Sequence, residues 1–253
     1  LTLLGRVQLH LGNKSEAESA LRQVINSGRF KLLDNYADLW GPENENNEES
    51  ILEVQFLSGG IGEGSGYTNS FAPSSNMENI SDAGGRNRPT DNLVRAFKEE
   101  DDPRFSTSMD TTYYNAVEDQ VDTANYVLKY MSTPPNSYDA DNNFIIFRYA
   151  DVLLMMAEAT GDESYINQVR ERAGLGPIGP DTPGDNFEEK LLHERRVELA
   201  FENHRWYDLI RFGKAVEHIN KYFDEEGINR TISESDLTFD IPQREVDLGL
   251  DQN

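Results

Sequence analysis

The chain has 253 residues, with 23 Lys+Arg against 46 Asp+Glu, no cysteine, and aromatics in plenty (11 Tyr, 12 Phe, 2 Trp). The formal net charge of -23 repels phosphate backbones and anionic headgroups, which argues against nucleic-acid and lipid-surface partners and leaves a neutral ligand such as a sugar unopposed. Without cysteine there is neither a disulfide framework nor a thiolate metal site, and no apolar run approaches the ~18 residues of a membrane-spanning helix.

In chain order, residues 1–28 read as a helical hairpin. Leu3, Leu4, Val7 and Leu11 recur at helical spacing, Gly12-Asn13 makes the turn, and Ser15 with Glu18 forms a capping box for a second helix. Its stripe is Ala17, Ala20, Leu21, Val24 and Ile25, and Gly28 supplies a left-handed stop. The pair is one tetratricopeptide-like unit, which needs neighbours to bury both faces. Because the chain opens at Leu1 within an apolar pattern, further units and a secretory signal are expected upstream. Residues 29–56 form a connection with Tyr36-Ala-Asp-Leu-Trp40, an acidic, Asn-rich solvated tip at 42–50, and a short strand at 51–56.

Residues 57–143 show little periodicity. Glycines at 59, 60, 62, 64 and 66 mark a flexible loop, a short helix is predicted over 92–100, and Pro103 ends it. So long an irregular stretch is more often functional than decorative. From residue 144 the chain returns to helix. One pair is predicted over 147–159 and 165–173, and a third helix over 187–201, capped by Asp185. A fourth is predicted over 206–223, kinked at Gly213, followed by an extended tail from Leu237 in which Pro242 blocks helix. The fold class is mostly α, with tetratricopeptide-like helical pairs, a long irregular region and minor short strands. The chain is read as a single domain over 1–253, made of the hairpin and connection (1–56), an irregular ligand-facing region (57–143) and a C-terminal helical scaffold and tail (144–253).

The segment Glu194-Arg-Arg-Val-Glu-Leu-Ala-Phe-Glu-Asn-His-Arg-Trp-Tyr-Asp-Leu-Ile-Arg211 closely resembles the C-terminal signature of the SusD/RagB family. Three more pieces agree in order: residues 147–159 (Phe147-Arg-Tyr-Ala-Asp-Val-Leu-Leu-Met-Met-Ala-Glu-Ala159), Val169-Arg-Glu-Arg-Ala-Gly-Leu175, and Ile241-Pro-Gln-Arg-Glu-Val246 with Gln252-Asn253. The resemblance covers the family's C-terminal part. It implies a SusD-like alpha-alpha superhelix presenting an irregular glycan-binding face. It also implies an outer-membrane, cell-surface lipoprotein of nutrient uptake, with its lipid anchor outside this chain. Such proteins pass oligosaccharide to a SusC-like, TonB-dependent transporter and are not enzymes.

Read from its residues, the signature is structural, with ligand contact as the alternative reading. Arg195 and Glu198, Glu202 and Arg205, and Asp208 and Arg211 stand three apart on single helical faces, and with Arg196 and Trp206 they are expected to lock helix register. Ligand contacts are expected instead from the irregular region. Aromatic faces stack on the apolar face of a sugar ring, and amide or guanidinium groups bond its hydroxyls. Tyr67, Asn69, Phe71, Asn76, Arg86, Asn87, Tyr113 and Tyr114 have that chemistry, and loop anchoring is the alternative reading of each. No catalytic residue, cofactor or metal is assigned. The four histidines are scattered, and Asp139-Ala-Asp141-Asn-Asn143 matches a calcium loop only in part. A tetratricopeptide-type peptide-binding scaffold, and a polysaccharide-degrading enzyme, remain alternatives.

Overall fold

The computed structural model describes residues 1–249. The chain divides into two compact units, Leu1–Arg205 and Trp206–Asn253.

In the first unit, α1 (Thr2–His10) and α2 (Lys14–Asn26) form the expected hairpin, turned by Gly12 at φ +76°. A Cβ built on Gly5 would lie 2.6 Å from the Leu21 side chain, so Gly5 allows the two helices their close approach. That approach decides which face is buried: Thr2, Gly5 and Leu9 face inward, and the expected stripe of Leu3, Leu4, Val7 and Leu11 is exposed. The expected capping box does not form either. α2 starts at Lys14 with Asn13 at its N-cap, which places Ser15 inside the first turn, and Glu18 pairs with Arg22. The stripe of α2 is as expected: Ala17, Leu21 and Val24 pack with Leu9 against Val152, Met155 and Met156.

Residues 57–143 contain more regular structure than their sequence suggests. After a 3-10 turn at Tyr36–Leu39 and β1 (Ser50–Val54), the region holds α3 (Tyr67–Phe71), α4 (Asp91–Lys98), α5 (Phe105–Ser108) and an antiparallel hairpin of β2 (Met109–Asn115) and β3 (Gln120–Val127). The hairpin is hidden in the sequence because neither strand alternates apolar and polar residues: β2 reads Met-Asp-Thr-Thr-Tyr-Tyr-Asn and β3 Gln-Val-Asp-Thr-Ala-Asn-Tyr-Val. β4 (Phe144–Arg148) pairs antiparallel with β1, so Phe147 and Arg148 belong to a strand and not to the helix expected there. The scaffold follows as α6 (Tyr149–Thr160), α7 (Glu163–Arg172) and α8 (Phe187–Glu198). Asn186, not Asp185, caps α8 by accepting from the Glu189 amide, and the helix ends at Glu198, before residues 201 and 203 adopt positive φ.

In the second unit, Gly213 (φ +65°) breaks the expected single helix into α9 (Arg205–Arg211) and α10 (Ala215–Glu225). Asn220 exchanges two hydrogen bonds with the Ile232 backbone, at 2.9 and 2.7 Å, and hooks the following chain onto α10. The tail is not uniformly extended: Pro242 stands at the N-cap of a short α11 (Gln243–Asp247), a position where its missing amide is not needed. Gln252-Asn253 lie outside the described residues.

A buried ion-pair network ties the first unit together. Glu198 receives Arg104 at 2.7 Å, together with Arg148 and Arg172. Glu202 receives Arg148 (2.7 Å) and Lys129 (2.8 Å), Glu194 receives Arg104 (2.6 Å) and Arg170 (3.1 Å), and Arg104 also holds Asp102 (2.7 Å). Glu49, assigned from sequence to a solvated tip, is fully buried and receives Arg148 (2.9 Å) and Arg172 (2.8 Å). Burial opposes ionisation of Glu198, but the facing Arg172, Arg148 and Arg104 charges overcome it and hold its pKa well below the usual carboxylate range. Arg195 pairs with Asp151 (3.0 Å), which also receives Arg6 (2.6 Å). In the second unit Asp208 and Arg211 form the expected pair at 2.7 Å.

Removing one partner from such a network leaves uncompensated charge in the interior. Glu198→Ala is expected to destabilise the fold by about 3–5 kcal/mol, measured by urea denaturation. His204 yields a second test. Burial pushes its pKa down to about 4, with the Asp151 carboxylate opposing. The unfolded imidazole protonates near pH 6.5, so stability falls as pH drops from 6.5 towards 4 and the loss saturates below that. Between pH 6.5 and 5 the loss should be on the order of 1–2 kcal/mol in the parent chain and should be absent in His204→Gln.

Candidate functional site

The candidate site is built around α3. Gly64 and Gly66 bring the preceding loop close to residues 138–140: a Cβ on Gly64 would meet the Asp139 Cα at 2.6 Å, and Ser65 and Ala140 exchange backbone hydrogen bonds of 2.7 and 3.0 Å. The glycine-rich loop, expected to be flexible, is therefore pinned. The pins are the side chains weighed above as a partial calcium loop. Asp139 accepts from the Gly59 and Gly60 amides (3.0 and 2.9 Å), Asp141 from the Ser58 amide and hydroxyl (2.7 and 3.1 Å), and Asn143 from the Phe56 amide (2.8 Å). The Gly59 amide is the main reason that Asp139 titrates below its ordinary range. Among the described residues no group of three or more His, Asp or Glu is arranged to hold a metal ion.

The residues singled out from sequence have different surroundings. Tyr67 is half-buried, with its ring centroid 5.3 Å from Phe144, 5.5 Å from Tyr130, and 5.8 Å from both Phe56 and Phe71. Phe71 packs in the same cluster. Asn69 is 1% exposed and engaged at both ends: its amide donates to the Ser81 carbonyl (2.5 Å) and its oxygen accepts from the Tyr138 amide (2.8 Å). Asn76 is half-buried, and its carbonyl accepts from Ala116 in the turn of the β2–β3 hairpin (2.8 Å), which joins this loop to the hairpin. Arg86 and Asn87 have exposed side chains, and the Arg86 backbone is tied to the Ser70 carbonyl (2.8 Å).

On the hairpin, Tyr113 is half-buried and donates to Asp122 (3.2 Å). Tyr114 is 50% exposed, opposite Val121, and its hydrogen bond to Asp119 raises its phenol pKa. One aromatic that sequence reasoning passed over, Tyr138, lies against Gly66 at the end of the loop after β3 and is 44% exposed. No local pattern marks it, since its surroundings are set by Gly66 and Asn69, some 70 residues earlier.

A cavity of about 20 Å³ lies between Trp40, Glu45, Glu53, Lys129, Asn142 and Asn143. It has room for a water molecule but not for a sugar ring. The pinning of the loop is itself testable. Asp139→Ala should increase amide exchange at Gly59 and Gly60 while leaving the melting temperature of the chain nearly unchanged. Hydrogen-exchange mass spectrometry with a parallel melt reads both.

The model of the SusD family matches residues 84–245. SusD-like protein P25 of Formosa agariphila is 29% identical, over 76% of this chain and 45% of that protein. A laminarin-binding SusD-like protein superposes with a TM-score of 0.79 at 27% identity, covering 100% of this chain and 61% of that one. Surface glycan-binding protein A from Bacteroides thetaiotaomicron, in complex with laminarihexaose, superposes with a TM-score of 0.77 at 22% identity, over 98% of this chain and 62% of that one, which speaks for the fold alone. The chain spans less than half the length of the Formosa relative and under two thirds of these solved structures. With the family match running from the loop after α3 to the short helix of the tail, the chain belongs to the SusD family.

Proposed function

We propose that this chain is part of a cell-surface protein that binds neutral oligosaccharide and passes it to a TonB-dependent outer-membrane transporter without cleaving it. The observation that carries the reading is the division of the first unit into an ion-paired helical scaffold and a pinned, irregular face with exposed tyrosine rings. Rings held in place lose little freedom on stacking, so binding is not offset by ordering of the site. The acidic balance favours uncharged glycans over sulfated or uronic ones. The laminarin-binding relative supports a glycan as ligand, and family membership supports surface attachment and the transporter partner. Among the described residues no helix is long and apolar enough to cross a membrane.

Native affinity electrophoresis through gels containing laminarin or other neutral glycans, run beside a reducing-sugar assay, tests this reading. Retardation in at least one neutral glycan with no release of reducing ends is the expected result. Release of reducing ends would instead support an enzyme, and absence of retardation in every glycan would remove the binding role.

A further inference from the structure

Of the nine non-glycine residues with positive φ among the described residues, seven are Asn or Asp, which tolerate that conformation. The other two are Phe201 and Tyr138. Phe201 is explained by packing, since its ring joins two core clusters. Tyr138, at φ +57°, has no such explanation, because 44% of it is exposed. A bulky side chain in the left-handed region is strained, and it persists only where the surroundings over-determine it.

Here they do. The Tyr138 amide donates to Asn69 Oδ1 (2.8 Å), and Asn69 is itself fixed by the Ser81 carbonyl. The Tyr138 hydroxyl donates to the Asp82 carbonyl (2.9 Å). One side of the ring lies on Gly66, where a Cβ would come within 3.0 Å of Cδ1. Ser81 and Ser137 are joined by their hydroxyls beside it. The ring is thus held at its backbone, its hydroxyl and one side, and the remainder faces solvent. None of these contacts buries the ring, so they fix its orientation.

We infer that Tyr138 is a stacking platform for one neutral pyranose ring. This rests on the glycan-binding reading and names a residue for it. The sugar's C–H face would cover the open side of the ring, and its hydroxyls would meet the Ser81 and Ser137 hydroxyls beside it. Tyr114, the other exposed tyrosine considered above, sits in ordinary strand pairing opposite Val121, so its exposure carries no backbone strain.

The test uses the full chain and laminari-oligosaccharide, or whichever neutral glycan retards the parent chain, with affinity and melting temperature measured together. Tyr138→Gly relieves the backbone strain, so the melting temperature should hold or rise while affinity falls about tenfold. Tyr138→Phe keeps the ring and should stay within about threefold of the parent. Gly66→Ala, at a residue of negative φ, should displace the ring and weaken binding, and it decides the matter if Tyr138→Gly proves unstable. Parent-like affinity in Tyr138→Gly, or in Gly66→Ala where that variant decides, overturns the platform and leaves the functional reading standing. A parent chain that binds no glycan overturns both.

Discussion

The first unit depends on how its arginines and glutamates are buried. Arg104, Arg148 and Arg172 converge on Glu198 from three segments far apart in sequence, while Glu49, Glu194 and Glu202 bind the sides of the same arginines. Ions cannot be left unpaired at this depth, so a displacement of any one segment exposes charges on several others. Arginine suits the task because its planar fork serves two carboxylates at once and its charge persists under burial. A network of this kind contributes geometry more than net stability, since desolvation offsets much of the attraction. Its consequence is that the segment before β1, strand β4, α7 and α8 hold one arrangement, and the loops hang from a fixed frame.

The loops are held by a second device, side-chain oxygens taking the place of strand pairing. Asp139, Asp141 and Asn143 alternate along one segment and meet the amides of residues 56–60 along another. This satisfies the backbone donors of a partly exposed loop without a sheet and leaves the outward side chains free of packing duty. The aromatic cluster beneath, with Tyr67, Phe71, Tyr130 and Phe144 at its centre, closes the inner side. Tyr67 and Phe71 therefore support the face from below, whereas Tyr114 and Tyr138 show their rings to solvent. Two tyrosines of the same chemistry can take opposite roles according to which side of this layer they occupy.

The helices were legible because packing leaves a period. The Ala17–Val24 stripe and the apolar run of α6 point inward as their spacing requires. α1 shows the limit: two of its faces could pack, and Gly5 chooses the less apolar one. The charged signature was recognisable by its order of residues, but its partners were not. Three-residue spacing pointed to pairs within a helix, whereas Glu198 and Glu202 take cations from segments outside α8. Glu49 looked solvated because its neighbours are acidic and Asn-rich, and only the fold brings Arg148 and Arg172 to it. The site was harder still. Composition located the irregular region, but exposure of one ring and burial of another depend on contacts across tens of residues.

The central claim is that a rigid scaffold presents a fixed outer face to a neutral glycan. Hydrogen–deuterium exchange with and without saturating laminari-oligosaccharide, or another glycan found to bind, addresses it most directly. New protection confined to residues 59–87, 112–123 and 132–140, with α6, α7 and α8 unchanged, is the expected result. Protection centred on α1 and α2, or slowed exchange spread through the scaffold helices, would contradict it.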